Sequence, residues 1–181
     1  MNKRLKTPVF FWLCAIILFS GCKKIDELTQ FTMEYEQNVT IPSSSAVDLP
    51  FVVVTPEMST NAESTFSNND TKKELIEEIR LTQMTLTLEA PSEEDFSFLK
   101  SIEISIDADG LDEIVIANKS EIPDNIGNKL ELDVINKDLK EYIKKEAFRL
   151  RITTTTDELL SSDHEVKVYS AFFVDAKVLG V

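Results

Sequence analysis

The chain has little of what most catalytic motifs require. It holds two cysteines, one histidine, one tryptophan and four glycines in 181 residues. A single histidine excludes zinc motifs built on two, and two thiols exclude a cysteine-rich zinc site. Gly21, Gly110, Gly127 and Gly180 lie far apart. Phosphate-cradling loops, dinucleotide fingerprints and nucleophile elbows all need clustered glycines for close backbone approach, so those enzyme classes are excluded. Basic charge is scarce as well, with 19 Lys and Arg against 32 Asp and Glu and a formal net charge of -13. Such a surface repels phosphate backbones, which argues against a nucleic-acid binder. No apolar run reaches the roughly 20 residues that span a bilayer. What remains, 43% apolar and 28% charged, is the composition of one folded domain rather than a disordered chain.

The N-terminus carries an address. Lys3, Arg4 and Lys6 precede an unbroken apolar run from Val9 to Phe19, followed by Ser20-Gly21-Cys22. A cationic head and a short apolar stretch make a secretory signal. Phe19-Ser20-Gly21-Cys22 resembles the lipobox of bacterial lipoproteins, with Phe19 standing where that family usually has Leu. The resemblance implies that the Cys22 thiol receives a diacylglycerol and that the chain is cut just before it. It also implies that the new amino terminus takes a further acyl chain, of the palmitate kind. Residues 1–21 would then be the removed signal, 22–29 the lipidated cysteine with a short tether, and 30–181 the folded domain. The tether, Lys23 to Thr29, extends at most about 25 Å at roughly 3.3 to 3.6 Å per residue.

Cleavage sharpens the charge. The segment removes three basic residues and no acid, leaving 16 basic and 32 acidic side chains, net -16. So acidic a body does not adhere to anionic headgroups by its own field, and the expected membrane attachment is covalent, through two or more acyl chains. Cys14 leaves with the signal, so Cys22 becomes the sole thiol and no intrachain disulfide is expected. Lys23 is not the acidic residue that favours inner-membrane retention in some bacteria, which points to the outer membrane. Asp26 and Glu27 resemble surface-export signals, and the periplasmic or surface side stays open.

Period-two alternation dominates from Gln30 onward. Phe31, Met33, Tyr35, Val39 and Ile41 make a first strand. Val47 to Val54 make a second, where Pro50 removes a ladder donor and predicts an edge position or bulge. Pro56 to Asn69 reads as a long loop or irregular strand anchored by Phe66. Thr71-Lys72-Lys73-Glu74 has capping-box spacing and predicts a short helix to about Glu78. A strand over Ile79 to Glu89 follows, with Met84, Leu86 and Leu88 on one face. Ser92 to Leu99 is expected to plug Phe96 with Phe98 or Leu99 into the core. Ile102, Ile104 and Ile106 pair across an Asp109-Gly110 hairpin turn with Ile114 and Ile116. Leu130, Leu132 and Val134 make another strand, and Asp138 to Glu141 repeats the capping spacing before a second short helix. Phe148, Leu150 and Ile152, then Val166 to Val178, close the pattern. About eight strands and two short helices, with no βα repeat, predict an all-β antiparallel β-sandwich of immunoglobulin-like or related Greek-key type. A β-barrel is the alternative. Together with the lipobox, this resembles small exported lipoproteins of diderm bacteria whose role is undefined.

The body offers few chemical motifs. Asp107-Ala-Asp109-Gly110-Leu-Asp112 sets alternate carboxylates at a turn, and Asp107, Asp109 and Asp112 are the candidate Ca²⁺ ligands. The same residues also suit a plain hairpin tip. Glu93, Glu94 and Asp95 form a second acidic loop. His164 follows Ser161, Ser162 and Asp163 and is expected to be a surface turn residue, with a Ser-His-Asp site only a formal alternative. Glycoside hydrolysis needs a carboxylate pair beside aromatic platforms, and the cleaved body has no tryptophan and only Tyr35, Tyr142 and Tyr169. The sequence therefore predicts no enzyme and no resident cofactor. It predicts a lipid-anchored envelope module that works through contacts with a protein partner, the alternative being a Ca²⁺-dependent adhesin-like or glycan-binding module.

Overall fold

The computed structural model describes residues 30–43, 47–123 and 125–177. The expected signal, Cys22, the tether and Val178 lie outside them. Two antiparallel sheets stack face to face. The first runs β1 (Gln30–Ile41), β10 (His164–Ala176), β4 (Ile76–Ala90) and β7 (Lys129–Glu131), in that order. The second runs β2 (Pro50–Val54), β9 (Ala147–Thr156), β5 (Leu99–Asp107), β6 (Ile114–Ser120) and β8 (Asp133–Val134), with β3 (Met58–Ser59) also on β9. The sheets remain separate, so the sandwich holds and the barrel does not.

Alternation explains why these segments are strands. In β9 every second residue is buried, Phe148, Leu150, Ile152, Thr154 and Thr156, while the residues between are only half-covered. Such a chain satisfies its backbone by pairing while turning one face inward. The inward faces meet in a core that includes Phe66, Phe96, Phe148, Phe172, Ile79, Met84, Ile104 and Ile106, all essentially inaccessible. Tyr35 packs edge-on against Phe148 and Phe172, at 5.2 and 5.7 Å between ring centres. Its hydroxyl donates to the Thr60 carbonyl at 2.8 Å, which satisfies the one polar group of a buried ring. Burial pushes the Tyr35 hydroxyl well above its ordinary pKa.

Several elements depart from the sequence pattern. The stretch after Pro56 contains β3 and a helix, α1 (Ala62–Asn68), whose Phe66 is the fully buried anchor expected there. The capping-box spacing at Thr71 does not start a helix. Lys73–Leu75 is a single 3₁₀ turn with no side-chain cap, because Thr71 Oγ1 donates instead to the Lys177 carbonyl at 2.7 Å and β4 begins at once. The second capping segment does yield a short helix, α2 (Lys140–Ile143). β2 starts at Pro50, not Val47, and lies at a sheet edge as that proline requires. The alternating run Leu130, Leu132, Val134 is not one strand. Lys129–Glu131 pairs with β4 in the first sheet, and Asp133–Val134 pairs with β6 in the second. This segment changes sheets and closes that side of the sandwich.

Connectivity sorts the loops onto two ends. At the Ile41 end of β1 lie the connections 42–49, 91–98, 121–128 and 157–163. At the Gln30 end lie 55–75, 108–113 and 135–146, together with Lys177 after β10.

Candidate functional site

The Ile41 end is acidic throughout. Its four connections hold Asp48 in the first, Glu93, Glu94 and Asp95 in the second, Glu121 in the third, and Asp157, Glu158 and Asp163 in the fourth. These are eight acids among the described residues, and no Lys or Arg accompanies them in any of the four. The Gln30 end differs, with Lys72 and Lys73 before β4, Lys137, Lys140, Lys144 and Lys145 around α2, and Lys177 beyond β10. Strand pairing gathers acids that are scattered in sequence, because every connection from 42 to 163 that turns at this end is acidic.

The loops are held by their own side chains. Asp95 accepts from the Ser97 N–H at 2.9 Å and starts the 3₁₀ turn that drives Phe96 and Phe98 into the core. Hydrogen bonding from Ser97 keeps the Asp95 carboxyl below its ordinary pKa. Asp163 accepts from the Ser43 N–H at 2.7 Å, and Asp48 pairs with Lys100 of β5 at 2.5 Å. Glu93 and Glu158 make no hydrogen bond or ion pair with the described residues. Both line a cleft of about 430 Å³ between the second and fourth connections, with Glu94, Phe98, Leu159 and Ser161 also on its wall.

His164 lies beneath this cleft. It was expected at the surface, and the structure corrects that. The side chain is buried at the first position of β10, its ring 4.5 Å from that of Phe98. Nδ1 lies 3.0 Å from the Ser162 carbonyl, and Nε2 lies 2.5 Å from Glu94 Oε2, at an angle poor for a hydrogen bond. The carbonyl only accepts, so Nδ1 carries a proton. Among the described residues no serine hydroxyl is hydrogen-bonded to the ring, and Asp163 is turned to Ser43, so the formal Ser-His-Asp arrangement does not assemble there.

The candidate Ca²⁺ ligands are not brought together. Asp107, at the end of β5, pairs with Arg149 at 2.9 Å. Asp109 stands exposed at the hairpin tip beside Gly110, whose φ of +73° supplies the left-handed turn. Asp112 contributes its backbone carbonyl to the Tyr142 hydroxyl at 2.6 Å. Among the described residues no group of three or more His, Cys, Asp or Glu side chains is placed to hold a metal ion.

Apolar exposure is also localised. Among the described residues six large hydrophobic side chains stand exposed, and four of them, Val47, Leu49, Val52 and Val54, occur within eight residues leading through β2. Leu159, at 64% exposure, is on the cleft rim. A further depression of about 390 Å³ on the outer face of β5, β6 and β9 is lined by hydroxyls, the Asn118 amide, Glu103, Lys119 and Ile102, without an aromatic ring. Glu93, Glu94 and Asp95, adjacent in sequence, are the part of the acidic end that is legible without the fold. The sequence offered no sign that Glu94 meets His164, which is 70 residues away.

Neither the family profiles nor the curated proteins contain a match to this chain. Solved structures that it resembles include that of Desmodium yellow mottle tymovirus, at 7% identity and a TM-score of 0.26. That alignment spans all of this chain and 89% of the other. Another is a carbohydrate-binding module of the β-sandwich superfamily, at 12% identity and a TM-score of 0.29, where 86% of this chain spans 58% of that one.

Proposed function

We propose that the protein is a lipid-anchored module of the bacterial cell envelope, without enzymatic activity, that holds a protein partner at the end turned away from the membrane. The observation that carries this reading is the segregation of charge along β1. Its first residue, Gln30, follows the short tether from Cys22. Its last, Ile41, ends the 12-residue strand, about 37 Å away at roughly 3.4 Å per residue. With Cys22 acylated, the lysine-bearing end sits near the headgroups and the acidic end faces outward. Glu93 and Glu158, without a partner among the described residues, together with exposed Leu159, suit a cationic segment that carries apolar side chains.

Two measurements test the reading. Cys22→Ala should abolish labelling by a fatty-acid probe and release the chain from the membrane fraction; a labelled or membrane-held variant overturns the anchor. Crosslinking in intact cells should yield a protein adduct that Glu93→Lys with Glu158→Lys diminishes at least tenfold, and an unchanged adduct overturns the role of the acidic end.

A further inference from the structure

The two sides of the sandwich are finished differently. On one, residues 129–134 pass from the first sheet to the second and cover both margins. On the other, β1 and β2 are each the last strand of a sheet, and no described residue pairs with their outer edges. An open edge is a template for another strand, and proteins commonly blunt it with charge. β1 carries Glu34 and Glu36 on its exposed face. β2 carries none, and the run from Leu49 to Thr55 has no charged residue.

Register fixes which backbone groups of β2 are free. The Thr55 N–H donates to the Leu150 carbonyl at 2.9 Å, in the same register that pairs Val53 with Ile152 and Phe51 with Thr154. Antiparallel pairs alternate between bonded and non-bonded. Thr55, Val53 and Phe51 therefore bond to β9, and Pro50, Val52 and Val54 turn their backbone groups outward. Pro50 has no N–H to leave unpaired there. Val52 and Val54 present both N–H and C=O to the open side, with side chains 49% and 47% exposed.

We propose that the outer edge of β2 is a strand-addition site. Its occupant is an extended segment of a partner protein with β-branched apolar residues at alternate positions and Lys or Arg where it passes the acidic end. The backbone of Val52 and Val54 supplies the pairing, and their side chains select small branched neighbours on the same face. Charge selects the flank, because Pro50 opens the strand at the end whose connections hold eight acids and no base among the described residues. A second copy does not fit. Joined antiparallel, two copies point their Gln30 ends in opposite directions, which a tether of at most about 25 Å cannot reconcile with one membrane. Joined parallel about a two-fold axis, they place their valines on opposite faces of the shared sheet. The proposal rests on the envelope reading for this exclusion and for taking the partner to be a protein.

The test places a photoreactive diazirine residue at Val54 of the full lipidated chain in intact cells, with the same residue at Val134, exposed on β8, as control. The expected result is a heterologous adduct at Val54 and none at Val134, with the crosslinked segment, read by mass spectrometry, alternating Val, Ile or Thr beside Lys or Arg. Val52→Pro removes an outward N–H but no internal bond, and Val52→Lys adds an edge charge. Each should reduce the adduct at least tenfold with melting temperature within about 2 °C, while Val52→Thr keeps it. No adduct at Val54, equal adducts at both sites, an adduct of twice the chain mass, a segment of other character, or indifference to Val52→Pro and Val52→Lys overturns the proposal. A membrane-held chain without a Val54 adduct removes this inference alone, and an adduct on a chain that is not membrane-held removes the anchor alone.

Discussion

The two ends of the sandwich use charge in opposite ways. At the Gln30 end, carboxylates and lysines are mixed and paired. Lys140 meets Asp138 at 2.9 Å, Lys177 meets Glu77 at 2.8 Å, and the Asp138 carboxylate also accepts from the backbone of Ile79 and Lys140. These contacts tie α2 and the end of β10 to β4. At the Ile41 end, eight acids stand without a base in the same connections, and two of those on the cleft wall bind none of the described residues. Charge at the first end serves the fold. At the second it works against the fold through like-charge repulsion, which fits a surface kept for an outside partner.

Substitutions at matched positions test that contrast. Phe66, buried at the Gln30 end against Phe31, should cost about 3–5 kcal/mol on change to alanine. The melting temperature should fall by about 10 °C or more. Leu159→Ala at the exposed end should change stability by no more than about 0.5 kcal/mol. Equal losses in a thermal melt would break the comparison.

Asp138 gives a smaller effect with a pH signature. Burial raises its pKa, but hydrogen bonds from Lys140 and Ile79 outweigh that and hold the carboxyl below its ordinary value. A depressed native pKa means the contribution is present above about pH 4, the unfolded value, and fades as pH falls through the native value. Partial exposure keeps it modest. Asp138→Ala should therefore lose about 1 kcal/mol in urea denaturation at pH 7, and the gap between wild type and variant should narrow as pH falls below about 4. A constant gap would show that packing, not charge, carries the contact.

The smallest expected effect is none. Millimolar Ca²⁺ should leave the melting temperature unchanged, since Asp107 is held by Arg149 and Asp109 points to solvent. A rise of several degrees that Asp109→Asn removes would restore Asp107, Asp109 and Asp112 as a ligand set.

Much of the fold was legible because alternation reports burial directly. Ile102, Ile104 and Ile106, or Met84, Leu86 and Leu88, turn inward whichever strands they meet. The misread segments are those where tertiary contact chose between equal local options. Thr71-Lys72-Lys73-Glu74 has the spacing of a helix start, yet Thr71 finds its acceptor in Lys177. Leu130 and Val134 share one alternating run, but the chain is drawn to different sheets on either side of Leu132. His164 reads as a turn residue from its polar neighbours, and only the arrival of Glu94 and Phe98 from another connection lets it be buried.

The sequence by itself determined the all-β class, the acidic balance and the lipobox-like start, and narrowed Pro50 to an edge or a bulge, since each depends on residue type at short spacing. The tertiary structure decided where the charge lies. The eight acids come from four separate connections, and only antiparallel strand order brings those turns to one end. It likewise decided which edge stays open, because pairing register, and no local property of Val52 or Val54, sets which backbone groups face outward.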